Sequence, residues 1–225
     1  MKIDHDPAAG LIQPVGYAGP ERWKPTPVPC WGLRGTAPED FEVTADRELR
    51  TTGQSSIAIS SARSEGWGTL YQFADAVPMR GKRIELTADI RSRDVARNAG
   101  LYVRIDAADG TALALDNMWY GYGDGGQDGG IRNRSLSGDN EWTTTTIVID
   151  VPADAHALSY GLYLDGPGKA WLDDAHFEVV SNDTPITGFV QTPSMLEPMA
   201  RFRLGKAPPA PTNLDFEPGG GCGGD

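Results

Sequence analysis

Apolar and polar residues alternate along three stretches of this chain. Between Ile84 and Ile90, the residues Ile84, Leu86, Ala88 and Ile90 oppose Glu85, Thr87 and Asp89. Between Leu101 and Asp106, the aliphatics Leu101, Val103 and Ile105 oppose Tyr102, Arg104 and Asp106. Between Leu158 and Asp165, Leu158, Tyr160, Leu162 and Leu164 oppose Ser159, Gly161, Tyr163 and Asp165. A period of two is the signature of a strand with one face in a core. Shorter runs bounded by turn residues extend the pattern. Together they predict strands over 41–43, 55–60, 69–73, 83–92, 100–106, 112–118, 143–151, 157–165 and 170–180. Turn chemistry separates them at 50–53, 79–82, 108–110 and 165–168. No amphipathic helix interrupts the series. The spacing predicts an all-β fold, a two-sheet antiparallel β-sandwich of jelly-roll type with irregular terminal arms. If the strands at 100–106 and 157–165 neighbour each other, Tyr102, Arg104, Tyr163 and Asp165 share an outer polar-aromatic surface. Such a surface is a ligand groove where it is concave and merely solvated where it is flat.

The pattern fades at both ends. Residues 1–30 form a Pro-rich arm, with Pro7, Pro14, Pro20, Pro25, Pro27 and Pro29 excluding a helix or a central strand. Tyr17 and Trp23 are the side chains to pin that arm to the body. The sandwich is expected over 31–180. Residues 181–225 form a C-terminal extension, ending in a glycine-rich tail around Cys222.

The run from Asp116 to Gly130 breaks the strand pattern most sharply. It holds Trp119, Tyr120 and Tyr122, the carboxylates Asp116, Asp124 and Asp128, the amides Asn117 and Gln127, and six glycines. Glycine at that density opposes helix. Rings on such a loop either meet a ligand or fold back on the sheet.

Charge narrows the partners. The net charge is −11, which repels a nucleic-acid backbone, so no nucleic-acid partner is expected. The basic group Arg80, Lys82, Arg83, Arg91, Arg93 and Arg97 lies on strands and reads as a solvated edge. No apolar run is long enough for a membrane span. The start, Met1 to Asp6, carries no charged-then-apolar leader pattern, so the chain reads as cytoplasmic. In that setting Cys30 and Cys222 default to free thiols, with a bridge between the two tails as the alternative.

Catalytic motifs are sparse. His5, His156 and His176 sit in no zinc-like spacing, and no Gly-x-Ser-x-Gly elbow is present. The glycine-rich run lacks the Lys-Ser/Thr of a phosphate loop and precedes a strand. No organic cofactor is expected.

Several pieces occur in an order that carries a resemblance. They are Gly66-Trp67-Gly68-Thr69-Leu70, Arg80-Gly81-Lys82-Arg83, Ala99 to Asp106, Leu115-Asp116-Asn117-Met118, Val151-Pro152, Ala170-Trp171-Leu172-Asp173-Asp174 and Phe177-Glu178-Val179-Val180. Over roughly 31–180 the chain resembles a bacterial jelly-roll domain of the galactose-binding, carbohydrate-binding-module type, found alone or fused to transcriptional regulators. Against that family, Trp119 to Gly130 looks like an insertion. The family's opening Asn-Leu-x-Phe-Glu strand stands here at the C-terminal end, as Asn213-Leu214-Asp215-Phe216-Glu217. The resemblance implies that a strand over 212–217 packs on the sandwich, by rearranged order or by exchange in a homodimer. Either arrangement brings Cys222 towards Cys30. It further implies a structural calcium, with Asp174 and Glu217 as ligands and Asp173 nearby; the plain alternative is that these aspartates accept turn hydrogen bonds.

Two functions fit these residues. In the first, Tyr102, Trp119, Tyr120, Tyr122 and Tyr163 stack on a sugar-like or other small molecule, while Arg104, Asn117 and Gln127 bond to its polar groups. In the second, the chain is a cofactor-free cyclase or isomerase, similar in build to jelly-roll alkaloid cyclases. There Asp116, Asp124 or Asp128 would act as a general acid in an aromatic pocket.

Overall fold

The computed structural model describes residues 22–118, 134–188, 196, 208–217 and 219–222. Ten strands follow in chain order: β1 (Arg22–Pro25), β2 (Gly32–Gly35), β3 (Phe41–Asp46), β4 (Ser56–Ser61), β5 (Trp67–Asp75), β6 (Arg83–Ala107), β7 (Ala112–Asp116), β8 (Leu136–Asp150), β9 (Ala155–Asp165) and β10 (Gly168–Val180). All pairings are antiparallel, and they join into one curled sheet in the order β1-β2-β5-β9-β6-β10-β4-β3, with β7 and β8 also on β6.

The long strand β6 makes this one sheet into a sandwich. Its first half, from Arg83 to Arg93, pairs with β10. Its second half, from Asn98 to Ala107, pairs with β9 and carries β7 on the other side. Register shifts between Ile90 and Ala99, with Asp94 in the left-handed region (φ 54°), turn the strand from one layer into the other. The first layer is therefore β3-β4-β10-β6-β8 and the second β1-β2-β5-β9-β6-β7. The sequence pattern predicts two strands here, and the chain makes one bent strand of them.

The aliphatic faces read from alternation meet between the layers. Ile84, Leu86, Ala88 and Ile90 face Leu101, Val103, Ile105, Leu158, Leu162 and Leu164, all at most 2% exposed. At about 25 cal/mol per Å2 each of these valine, leucine and isoleucine side chains contributes roughly 1.5–3 kcal/mol of burial. The basic residues on the edges are ion-paired: Arg83 to Asp150, Arg91 to Glu141 and Arg97 to Asp165. Strands β1 and β2 lie in stretches that Pro and Gly made unreadable as strand. The Pro-bearing β1 is an edge strand, where a missing N–H costs least.

The segment 208–217 closes one end of the sandwich as irregular chain with a turn at Leu214–Asp215, in place of the strand expected over 212–217. It packs on its own chain. Phe216 is fully buried against Trp31, ring centroids 5.0 Å apart, and Trp31 stands edge-on to Tyr160 at 5.8 Å. Trp31 Nε1 donates to the Asn213 carbonyl (3.1 Å), and Ser55 Oγ donates to the Phe216 carbonyl (2.9 Å). Gln72 donates to the Thr212 carbonyl and accepts from the Thr212 N–H, each at 2.8 Å, while the Tyr160 hydroxyl donates to the same Gln72 oxygen. Cys30 and Cys222 form a disulfide across 192 positions of sequence, in place of the free thiols expected. Disulfides persist in oxidising settings, so the bridge lends no support to a cytoplasmic location. No helix among the described residues is long and apolar enough to cross a membrane.

Candidate functional site

The outer face of the second layer collects polar and aromatic side chains from four adjacent strands. Register alone sets their positions. Arg34 on β2 pairs with Thr69 on β5, and Thr69 pairs with Tyr163 on β9. Tyr71 pairs with Gly161, and Gly161 with Tyr102 on β6. Phe73 pairs with Ser159, and Ser159 with Arg104. Asp106 lies one outward position beyond Arg104, opposite Ala157.

The Arg34 guanidinium sits 5.3 Å from the Tyr71 ring centroid and 5.5 Å from that of Tyr102, a cation held between two π faces. Tyr102 and Ser159 share a hydroxyl–hydroxyl hydrogen bond of 3.0 Å. Arg104 donates to Asp106 Oδ1 through Nε (2.8 Å) and Nη2 (2.6 Å), and Nη2 also reaches the Gly110 carbonyl at 3.4 Å. This outer face is not solvated. Arg34 is 7% exposed, Arg104 5%, Tyr102 4% and Asp106 0%. Burial pushes the Asp106 carboxyl up to about 6, against the pull of Arg104 and Arg34. Burial likewise drives the Tyr163 hydroxyl far above the ordinary tyrosine range. Gly161, between the two tyrosines, is obligatory: at φ 153° an added Cβ would stand 2.1 Å from the Leu70 carbonyl oxygen.

Of the residues expected from sequence, Tyr102, Arg104 and Tyr163 come together here. Arg34, Tyr71 and Asp106 join them without having been expected as site residues. Arg34 and Tyr71 lie on strands whose outward faces gave no signal, and Asp106 looked like one more outward polar position. Trp119, Tyr120, Tyr122, Asp124, Gln127 and Asp128 lie outside the described residues.

Asp116 is a clamp. Its Oδ1 accepts from the Met118 N–H (3.1 Å) and pairs with Arg134; its Oδ2 accepts from Thr187 Oγ1 (2.7 Å). Thr187 in turn accepts from the Val148 N–H at 2.8 Å, and Arg134 donates to the Thr146 carbonyl at 3.1 Å. A guanidinium and two further donors thus occupy both oxygens of this carboxyl group. Asn117 beside it is half-buried.

The expected calcium residues surround the 50–54 turn. Asp173 is fully buried and spent on that turn: Oδ2 accepts from the Thr51 hydroxyl and the Thr52 N–H, each at 3.0 Å, and Oδ1 from the Asp174 N–H at 2.9 Å. Asp174 contacts His176 Nε2 at 3.0 Å. Glu217 Oε1 accepts from the Gln54 N–H, and its Oε2 is buried without a partner among the described residues. No group of three acids, histidines or cysteines converges on a metal position among the described residues. Calcium takes six to eight oxygen ligands, so backbone carbonyls would have to complete the shell. A calcium here is a proposal that rests on Glu217 alone.

No protein-family model matches the chain. Over 190 residues, 83% of its length, the chain is 31% identical to the uncharacterized HTH-type transcriptional regulator YbfP of Bacillus subtilis. It spans 56% of that regulator's length. This is the kind of protein to which the resembling domain is fused. Among solved structures, the chain is similar to a xylan-binding domain from Paenibacillus barcinonensis (13% identity, 76% of this chain and 94% of that one, TM-score 0.44). It is also similar to the enzymatically active domain of a tailspike protein of bacteriophage CBA120 (13% identity, 67% and 19%, TM-score 0.49). At such identities and superpositions, the ligands of those proteins do not transfer to this chain.

Proposed function

We propose that this chain is a ligand-binding domain that takes a sugar-like small molecule on the outer face of its second layer. One observation carries the reading: Arg34, held between the rings of Tyr71 and Tyr102, stands beside the Arg104–Asp106 pair on a face that a plain sandwich would leave to water. Desolvating two guanidiniums and a carboxylate costs several kcal/mol per ion, more than their mutual attraction reliably returns. Buried charge of this kind recurs where recognition needs it. Tyrosine faces suit the C–H faces of a pyranose, and guanidinium and carboxylate suit its paired hydroxyls. The similarity to a transcriptional regulator supports a sensing role for the bound molecule. The cyclase reading has less support, because its described candidate acid, Asp116, is held by Arg134 and Thr187.

Thermal denaturation with a panel of methyl glycosides tests this. At about ten times its dissociation constant a ligand adds about 1.4 kcal/mol, a rise in melting temperature of roughly 3–6 °C for a chain of this size. Tyr102→Ala is expected to abolish the rise. A panel without any shift, or a shift untouched by Tyr102→Ala, would remove the face as the binding site.

A further inference from the structure

We infer that Asp106 determines specificity on this face by accepting a hydrogen bond, through Oδ2, from a hydroxyl of the bound ligand. The inference rests on the binding reading above and names the ligand chemistry it requires.

The two oxygens of Asp106 are unequal. Both Arg104 donors converge on Oδ1. Oδ2 is buried and has no hydrogen-bond partner among the described residues. Leaving a charged acceptor unsatisfied forfeits its desolvation cost with no hydrogen bond in return. Native chains rarely tolerate that without a role for the atom. Arg104 is itself fixed from a second side by the Gly110 carbonyl, so the carboxylate cannot easily turn its free oxygen towards the guanidinium. Outward alternation along β6 puts Asp106 on the face that carries Tyr102 and Arg104, beside the rung where Arg104 meets Ser159. Because Tyr102 is 4% and Asp106 0% exposed, the donor that satisfies this oxygen is a hydroxyl of a molecule that displaces what is packed over the face. An anionic or purely acceptor group at that point would be repelled.

Protonation should switch this contact. The charged groups facing Asp106 are Arg104 on its own strand, Arg34 from β2 and Asp109 from the β6–β7 turn. Burial outweighs the two arginines and raises the carboxyl to about 6, and Asp109 adds to the rise. Above that value the oxygen accepts; below it the neutral acid no longer offers the charged acceptor.

The experiment is titration calorimetry with methyl β-xyloside, methyl β-galactoside and methyl β-glucoside, on wild type and Asp106→Asn. A hydrogen bond to a charged group is worth about 1.5–3 kcal/mol, a factor of roughly 10–150 in affinity. The expected result is binding of at least one glycoside near pH 7.5, weakened about tenfold near pH 5. Asp106→Asn should bind at least about tenfold more weakly near pH 7.5, with no pH dependence. Equal affinity in the two proteins, with a flat wild-type pH profile, overturns the role of Asp106 and leaves the binding face standing. Failure of every glycoside to bind wild type overturns both. Should Asp106→Asn fail to fold, the wild-type pH series decides alone: a tenfold loss supports the inference and a flat profile ends it.

Discussion

Asp106 also leaves a mark on stability that needs no ligand to measure. Its folded-state carboxyl titrates at about 6, against 3.8 for the unperturbed group. Between those values the folded chain keeps a proton that the unfolded chain has released. Stability therefore falls as pH rises through that window and levels off above it. The difference corresponds to about 3 kcal/mol. Asp150 runs the other way: its hydrogen bonds from Arg83 hold its carboxyl below the ordinary range, so its contribution is present above that range and lost on acidification. Comparing wild type with Asp106→Asn cancels that background. Denaturant unfolding near pH 4 and near pH 7.5 is expected to show a loss on raising the pH in wild type that exceeds that of the variant by about 2.4 kcal/mol, since the unfolded carboxyl is already half ionised at pH 4. Identical pH dependences in the two proteins would mean that the carboxylate is not desolvated. The alternation of 101–106 made the outward direction of Asp106 legible. Its burial was not legible, because local sequence says which way a side chain points and not what covers that face.

At the scale of elements, alternation and turn residues were enough to place the strands from β3 to β10. The two that escaped, β1 and β2, carry Pro25, Gly32 and Gly35, residues that read as loop and here belong to an edge and its neighbour. The bend of β6 escaped for a different reason. A bulged strand interrupts its own periodicity, so 83–92 and 100–106 looked like separate elements. The Asn213–Glu217 segment carried a strand-like motif yet folds as a turn, with Asn213 at φ 48° and Phe216 at φ 55°. What the motif preserves is the anchor. Phe216 is fully buried and fills the space beside Trp31 at the end that the segment closes. Truncation to Phe216→Ala is expected to cost about 3–5 kcal/mol by denaturant unfolding, since it combines lost burial with a cavity. A cost below about 1 kcal/mol would mean that the segment is not packed in the native chain.

At the scale of the molecule, the Cys30–Cys222 bridge turns two tails into one closed structure. It ties the chain just before Trp31 to the chain just after the Phe216 anchor, so the residues that cap the sandwich end cannot drift apart. The closed loop spans 192 positions. In the chain-entropy account a loop of that length restricts the unfolded ensemble by on the order of 5 kcal/mol. For a domain of this size that corresponds to a fall in melting temperature of roughly 10–20 °C when the bridge is opened. Calorimetry with and without a phosphine reductant reads that difference, and thiol titration of the denatured chain, before and after reduction, counts the sulfurs. Two reactive thiols in the unreduced protein, with a melting temperature indifferent to reductant, would rule the bridge out. A fall of the expected size on reduction, matched by Cys222→Ser, would instead show that much of the stability comes from constraint of the unfolded chain. In that case the buried charges on the second layer sit on a scaffold whose margin is set beside them, by a sulfur–sulfur bond and a single phenylalanine: the Cys30 carbonyl accepts from Gln72, the chain neighbour of Tyr71.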